Sequence, residues 1–225
     1  MTSKAIALLL CTTFLTLSGW AQQTPASTTV ANYEPEIAAF EATDKSTPPP
    51  ANPILFVGSS SIRLWSGLSE AFPGKPVLQR GFGGSEVADV IKFSPRIITP
   101  YKPRQVVVYA GDNDLGQGKK TAREVYNNVL TLYMLVRKNV PGATFTYISI
   151  KPSPARRQQM AVQAEANALI KNYLGGQKNT SYVDVYTPML NAAGQPRPEL
   201  FIADSLHMNA AGYDIWKQAI APVLK

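Results

Sequence analysis

The sequence predicts an α/β fold, a doubly wound three-layer αβα sandwich around a five-stranded parallel sheet. Three observations lead there. Five apolar runs of strand length alternate with segments of helical period, the signature of βα units. One run holds Val106, Val107 and Val108 in succession, a continuous apolar pattern that suits a mid-sheet strand covered on both faces. Three of the runs end in glycine-rich polar turns, and in open α/β sheets the reactive groups collect at the carboxyl ends of the strands.

Taken in order, the chain opens with Lys4, the apolar run Ala5 to Leu17, and the small residues Gly19 and Ala21 before a polar stretch. This is the layout of a signal peptide over residues 1–21, so export to the periplasm or the outside is expected. Leu10 stands before Cys11 where a lipoprotein signal would want a small residue, so lipidation is not expected. Residues 22–53 read as a flexible leader. Within it, Glu34 to Asp44 forms a short helix with Ile37 and Phe40 on one side, and four prolines between Ser46 and Pro53 forbid regular structure.

The predicted strands are Ile54 to Val57, Val77 to Gln79, Gln105 to Tyr109, Thr144 to Ile150 and Tyr182 to Val185. Between them, Ser85 to Ile98, Thr121 to Asn139 and Pro154 to Leu174 carry helical periodicity, the last with proline at its start and Gly175 at its end. A closing helix spans about Ala210 to Ala221. Residues 54–225 are therefore read as one domain, an economical size for a single core and a single active site.

Composition narrows the function. The 45% hydrophobic and 16% charged fractions are those of a globular protein, and no later stretch is apolar for long enough to cross a bilayer. Loss of Lys4 with the signal lowers the net charge from +7 to +6, and removal of Cys11 leaves no cysteine. The basic residues are spread along the chain, which reads first as a basic solvated surface with no specific partner and second as attraction to anionic polymers or lipid surfaces. For an exported chain, nucleic acid is not an expected partner.

The chemistry sits in the turns after the strands. Gly58-Ser59-Ser60-Ser61 follows the first, Gly81-Phe82-Gly83-Gly84-Ser85 the second, and Gly111-Asp112-Asn113-Asp114 the third. Asp204-Ser205-Leu206-His207 precedes the closing helix and supplies the only histidine. A serine hydroxyl is a weak nucleophile until a neighbouring base takes its proton, and a histidine does this once a carboxylate has fixed its orientation. Asp204 and His207, three residues apart, meet that need locally. A glycine N–H at Gly84 and the Asn113 amide suit a developing oxyanion, since neither changes charge.

On these four blocks, in this order, the chain resembles the SGNH, or GDSL-type, hydrolase superfamily of lipases and acylhydrolases, as an exported bacterial-type member. The likeness runs from Ile54 to about Leu224. It implies a flavodoxin-like SGNH hydrolase fold and a serine esterase. It further implies Ser60 as nucleophile, Asp204 and His207 as its partners, and an oxyanion hole of the Ser60 N–H, Gly84 and Asn113. The family's Gly-Asp-Ser is Gly58-Ser59-Ser60 here, which leaves Ser59 and Ser61 as alternatives to Ser60.

Other chemistries fit less well. Asp112 and Asp114 alternate as in a calcium loop, but Arg123 stands where its closing glutamate belongs. One histidine is too few for a catalytic zinc, Glu86 replaces the third glycine of a dinucleotide turn, and no phosphate-loop lysine follows Gly58. Ile62 breaks the α/β-hydrolase elbow. No cofactor or metal is expected. The loop Lys151 to Arg156 either borders the pocket or caps a helix. The expected substrates are small acyl esters or acylated saccharides, acetyl on carbohydrate first. The alternatives are a lysophospholipase or thioesterase, an envelope O-acyltransferase, and a carbohydrate-binding protein on the same scaffold. The sequence does not give the oligomeric state.

Overall fold

The computed structural model describes residues 32–225; the expected signal segment and residues 22–31 lie outside them. The five apolar runs become strands β1 (Ile54–Gly58), β2 (Val77–Gly81), β3 (Gln105–Tyr109), β4 (Thr144–Ile148) and β5 (Thr180–Val183). They form one parallel sheet in the order β2-β1-β3-β4-β5. The helices are α1 (Glu34–Ser46), α2 (Ser60–Arg63), α3 (Leu68–Ala71), α4 (Val87–Ile97), α5 (Asp112–Leu115), α6 (Ala122–Asn139), α7 (Met160–Gly175) and α8 (Ala210–Ile220).

Strand alternation splits the core in two. Leu55, Val57, Val106, Val108, Phe145 and Tyr147 pack on one face with Val90, Val129 and Ile170 of α4, α6 and α7. Ile54, Phe56, Val107, Tyr109 and Ile148 pack on the other with Ile62, Leu68 and Trp216 of α2, α3 and α8. Because β3 is central, its Val106-Val107-Val108 run is buried on both faces. The strand order changes direction between β1 and β3, so a crevice opens outside their carboxyl ends. The turns carrying Ser60 and Asn113 leave the sheet there.

Several boundaries differ from expectation, each for a local reason. β4 stops at Ile148 instead of Ile150, because the Asn167 side chain accepts from the Ile150 N–H at 2.8 Å and donates to its carbonyl at 2.9 Å, replacing the ladder. β5 lies two residues earlier than expected, and beyond it the Val185 N–H donates to Ser149 Oγ at 2.9 Å. The segment from Pro154 is a 3-10 turn over Pro154–Gln159 followed by α7, broken where Arg156 leaves helical geometry at φ −114°, ψ 24°. α4 begins only at Val87, where Glu86 and Asp89 close a capping box.

The leader helix belongs to the body. The compact unit starts at Tyr33, not at Ile54, and α1 buries Ile37 completely. Its acidic face meets basic residues of the domain: Arg96 holds both Glu34 and Glu41 at 2.6 Å, and Arg80 pairs with Asp44 between the rings of Phe40 and Tyr101. Among the described residues no helix is long and apolar enough to cross a membrane.

Candidate active site

Gly58 ends β1 at φ +131°, and a Cβ there would stand 1.8 Å from the Tyr109 carbonyl oxygen. Only glycine permits the first turn to leave the sheet so close to β3. The Ser59 N–H then donates to that carbonyl at 2.9 Å, and the chain enters α2 with Ser60 at its first position. α2 is a single turn, Ser60–Arg63. Ser59 and Ser61 are buried at 2% and 3% exposure, whereas Ser60 is half-buried and opens to the crevice.

The Asp204–His207 turn is closed by Ser205 in the left-handed region at φ +59°. In that turn Asp204 Oδ1 accepts the N–H groups of Leu206 and His207, both at 2.9 Å, and Oδ2 lies 2.5 Å from His207 Nδ1. A carboxylate only accepts, so Nδ1 carries the proton and Nε2 is left as the acceptor. His207 Nε2 stands 2.9 Å from Ser60 Oγ. Three residues from two ends of the chain thus form one continuous relay.

Burial by itself disfavours charge on Asp204, but its hydrogen bonds from the His207 ring and the two N–H groups outweigh that and bring its pKa down to about 2. The group is depressed below its ordinary value near 3.8, so its stabilising contribution is complete above about pH 4 and is lost as pH falls through about 2. The stability difference between the natural chain and Asp204→Asn is therefore expected to be constant above pH 4 and to shrink toward pH 2. Urea denaturation in a pH series checks this.

Asn113 sits in α5 between two anchored aspartates. Asp112 accepts from Lys151 Nζ at 3.1 Å and Gln163 Nε2 at 3.2 Å; Asp114 accepts from the Val87 N–H and Lys120 Nζ, both at 3.0 Å. Burial raises the Asp114 pKa in spite of Lys120 beside it. Asn113 Nδ2 donates to the Ser85 carbonyl at 3.0 Å, which spends one of its two N–H groups and ties the third turn to the second. Gly84, at φ +75°, is exposed at the mouth of that second turn. The neighbouring Gly83 N–H is taken by Glu36 of α1 at 3.1 Å. Among the described residues, the N–H groups of Ser60 and Gly84 donate to no protein acceptor.

All five residues singled out from the sequence, Ser60, Gly84, Asn113, Asp204 and His207, therefore lie on the turns that border this crevice. Sequence reasoning missed Lys151, Gln163, Lys120 and Glu36, which hold those turns. One signal was available for Lys151: a lysine directly after the apolar strand Thr144 to Ile150 is out of place unless a buried acid awaits it.

A parallel α/β sandwich with a serine–histidine–aspartate relay at its switch point defines a serine hydrolase. The sequence comparison gives the family: the model of the GDSL-like lipase/acylhydrolase family matches residues 56–215, and the chain belongs to it. No curated protein matches significantly. Among solved structures, the chain is similar to a GDSL-like lipase from Bacteroides thetaiotaomicron, 22% identical, with a TM-score of 0.70 over 83% of this chain and 95% of that one. It is also similar to an acetylxylan esterase from Geobacillus stearothermophilus, 14% identical, TM-score 0.62, over 77% and 95%. A carbohydrate esterase family 3 structure from Talaromyces cellulolyticus is 16% identical, TM-score 0.59, over 76% and 94%. At these identities the likenesses establish the fold.

Proposed function

We propose that the chain hydrolyses short acyl esters, acetyl on carbohydrate first among them, through an acyl-enzyme on Ser60, and that it does so outside the cytoplasm. The observation that carries the reading is the 2.9 Å contact between His207 Nε2 and Ser60 Oγ. As Ser60 Oγ attacks the acyl carbon, its proton passes to Nε2, and Asp204 steadies the imidazolium through Nδ1. The oxyanion rests on the N–H groups of Ser60 and Gly84 and the second N–H of Asn113. Collapse breaks the ester bond, with the Nε2 proton going to the leaving alcohol. Water, deprotonated by the same nitrogen, then releases the acid and frees Ser60.

The preference for small, polar esters rests on the open cleft beside the His207 turn. It measures about 660 Å³, and Arg156, Arg157, Gln158, Gln159 and Asp204 outnumber the apolar Pro154, Ala155 and Leu206 in its wall, which favours sugar hydroxyls over an alkyl chain. Export rests on the Lys4 to Ala21 segment.

Two measurements test the reading. On p-nitrophenyl acetate, butyrate and octanoate, kcat/KM is expected to fall with chain length, with acetate released from acetylated xylooligosaccharides. A preference for octanoate would favour a lysophospholipase instead. Asn113→Ala is expected to lower kcat by roughly 10² with little change in KM, because the lost donor acts on charge that develops only in the transition state. Steady-state kinetics on the acetate ester reads this directly.

A further inference from the structure

The cleft beside the His207 turn holds two guanidinium groups that the reaction above does not use. Every other arginine among the described residues has a partner. Arg63, Arg80, Arg96 and Arg197 pair with carboxylates, Arg104 and Arg137 donate to carbonyls, and Arg123 lies over the Tyr126 ring. Arg156 and Arg157 have no such partner among the described residues, and both line the cleft. Its only acidic lining residue, Asp204, already commits its oxygens to the His207 ring and two backbone N–H groups.

Arg156 is also held in place. The Ala155 N–H donates to the Ser205 carbonyl at 3.0 Å, which fastens the loop to the His207 turn. The break in helical geometry at Arg156 turns its half-buried side chain toward Gly116, where a Cβ would stand 1.9 Å from Nη1. Gly116 has φ −58° and ψ 131°, open to any residue, and without a side chain it lets the guanidinium lie directly over the backbone. Gly116 directly follows α5, which carries Asn113. The guanidinium therefore lies over the residue that follows α5, on a loop fastened to the His207 turn.

A half-buried guanidinium without a partner is unfavourable, and its planar fork matches a carboxylate or a phosphate. The cleft shares Asp204 and Leu206 with the His207 turn, so a group held in it lies beside the relay. We infer that Arg156, backed by Arg157, binds an anionic group, carboxylate or phosphate, on the alcohol portion of the ester. This rests on the esterase reading above and names the charge of its substrate.

The test compares acetyl esters of methyl glucoside, methyl glucuronide and glucose 6-phosphate, with acetate release as the readout. At low salt the natural chain is expected to favour an anionic ester over the neutral one by roughly tenfold in kcat/KM, with the ratio falling as about 0.5 M salt is added. Whether the glucuronide or the phosphate gains more identifies the anion. Arg156→Gln is expected to bring the ratio to about one. Arg156→Lys is expected to keep part of it, since the charge remains and the fork is lost. A ratio near one in the natural chain, a ratio that salt does not lower, or a ratio retained in Arg156→Gln overturns the inference. If Arg156→Gln fails to fold, the salt series on the natural chain decides alone. No acetate from any of the three esters or from p-nitrophenyl acetate would defeat the esterase reading itself. Release without anionic preference defeats only the anion site.

Discussion

Ser60→Ala is expected to lower kcat by about 10⁴ or more, His207→Ala by a similar factor, and the double variant no further than either alone. The reason is the geometry of the relay. Ser60 Oγ donates to His207 Nε2 at 2.9 Å and has no other base in contact with it, so removal of either group disables the same proton transfer. Asp204→Ala is expected to cost less, by a factor of about 10 to 100, because Asp204 orients the ring and steadies its charge without itself taking the proton. KM should change little in all of these, since the crevice and the oxyanion donors remain. Residual rates from stopped and continuous assays of folded variants check the pattern. Losses that multiply in the double variant would mean that the two residues act independently.

The second large effect is on stability. Lys151 is 1% exposed and faces Asp112, itself 5% exposed, at 3.1 Å. The lysine chain is enclosed between the rings of Tyr109 and Phe201, with Nζ 6.0 and 5.9 Å from their centres. Lys151→Met keeps most of the volume but strips Asp112 of its cation, leaving the carboxylate with Gln163. A loss of about 3–5 kcal/mol is expected, because the charge that remains is buried and poorly compensated. Adding Asp112→Asn should recover part of the loss by removing that charge. Guanidinium denaturation of the single and double variants reads both steps, and equal stability of Lys151→Met and the natural chain would show that solvent reaches Asp112.

These two effects mark what the sequence made legible and what it did not. The Asp204–His207 pair was readable because three residues suffice to bring them together, and their contact depends on one local turn. The glycine-rich turns after β1, β2 and β3 were readable because a parallel sheet places every strand end on one edge. The Val106-Val107-Val108 run gave away the central strand for the same kind of reason: continuous burial has a composition of its own. The Lys151–Asp112 pair had no such local trace. Its partners come from different strand ends, 39 residues apart, and the alternating aspartates of Asp112-Asn113-Asp114 first suggest a calcium loop. Only the fold shows that each aspartate has a lysine of its own.

The packing of the leader helix on the body likewise had no local trace. From Glu34 to Pro53 the sequence shows a short helix and a proline run, which reads as a connector. Its binding to the domain depends on Arg80 and Arg96, far along the chain, so the compact unit begins at Tyr33. Likewise the Pro154 helix reads as continuous by periodicity. The break at Arg156 accompanies the bond between Ala155 and Ser205 and the packing of the guanidinium over Gly116, both tertiary contacts.

The most direct test of the central claim is covalent labelling with a serine-directed fluorophosphonate, followed by peptide mass spectrometry. The geometry predicts one adduct, on Ser60, absent in Ser60→Ala and formed far more slowly in His207→Ala. An adduct on Ser59 or Ser61, or ester turnover that persists with no adduct at all, would contradict it.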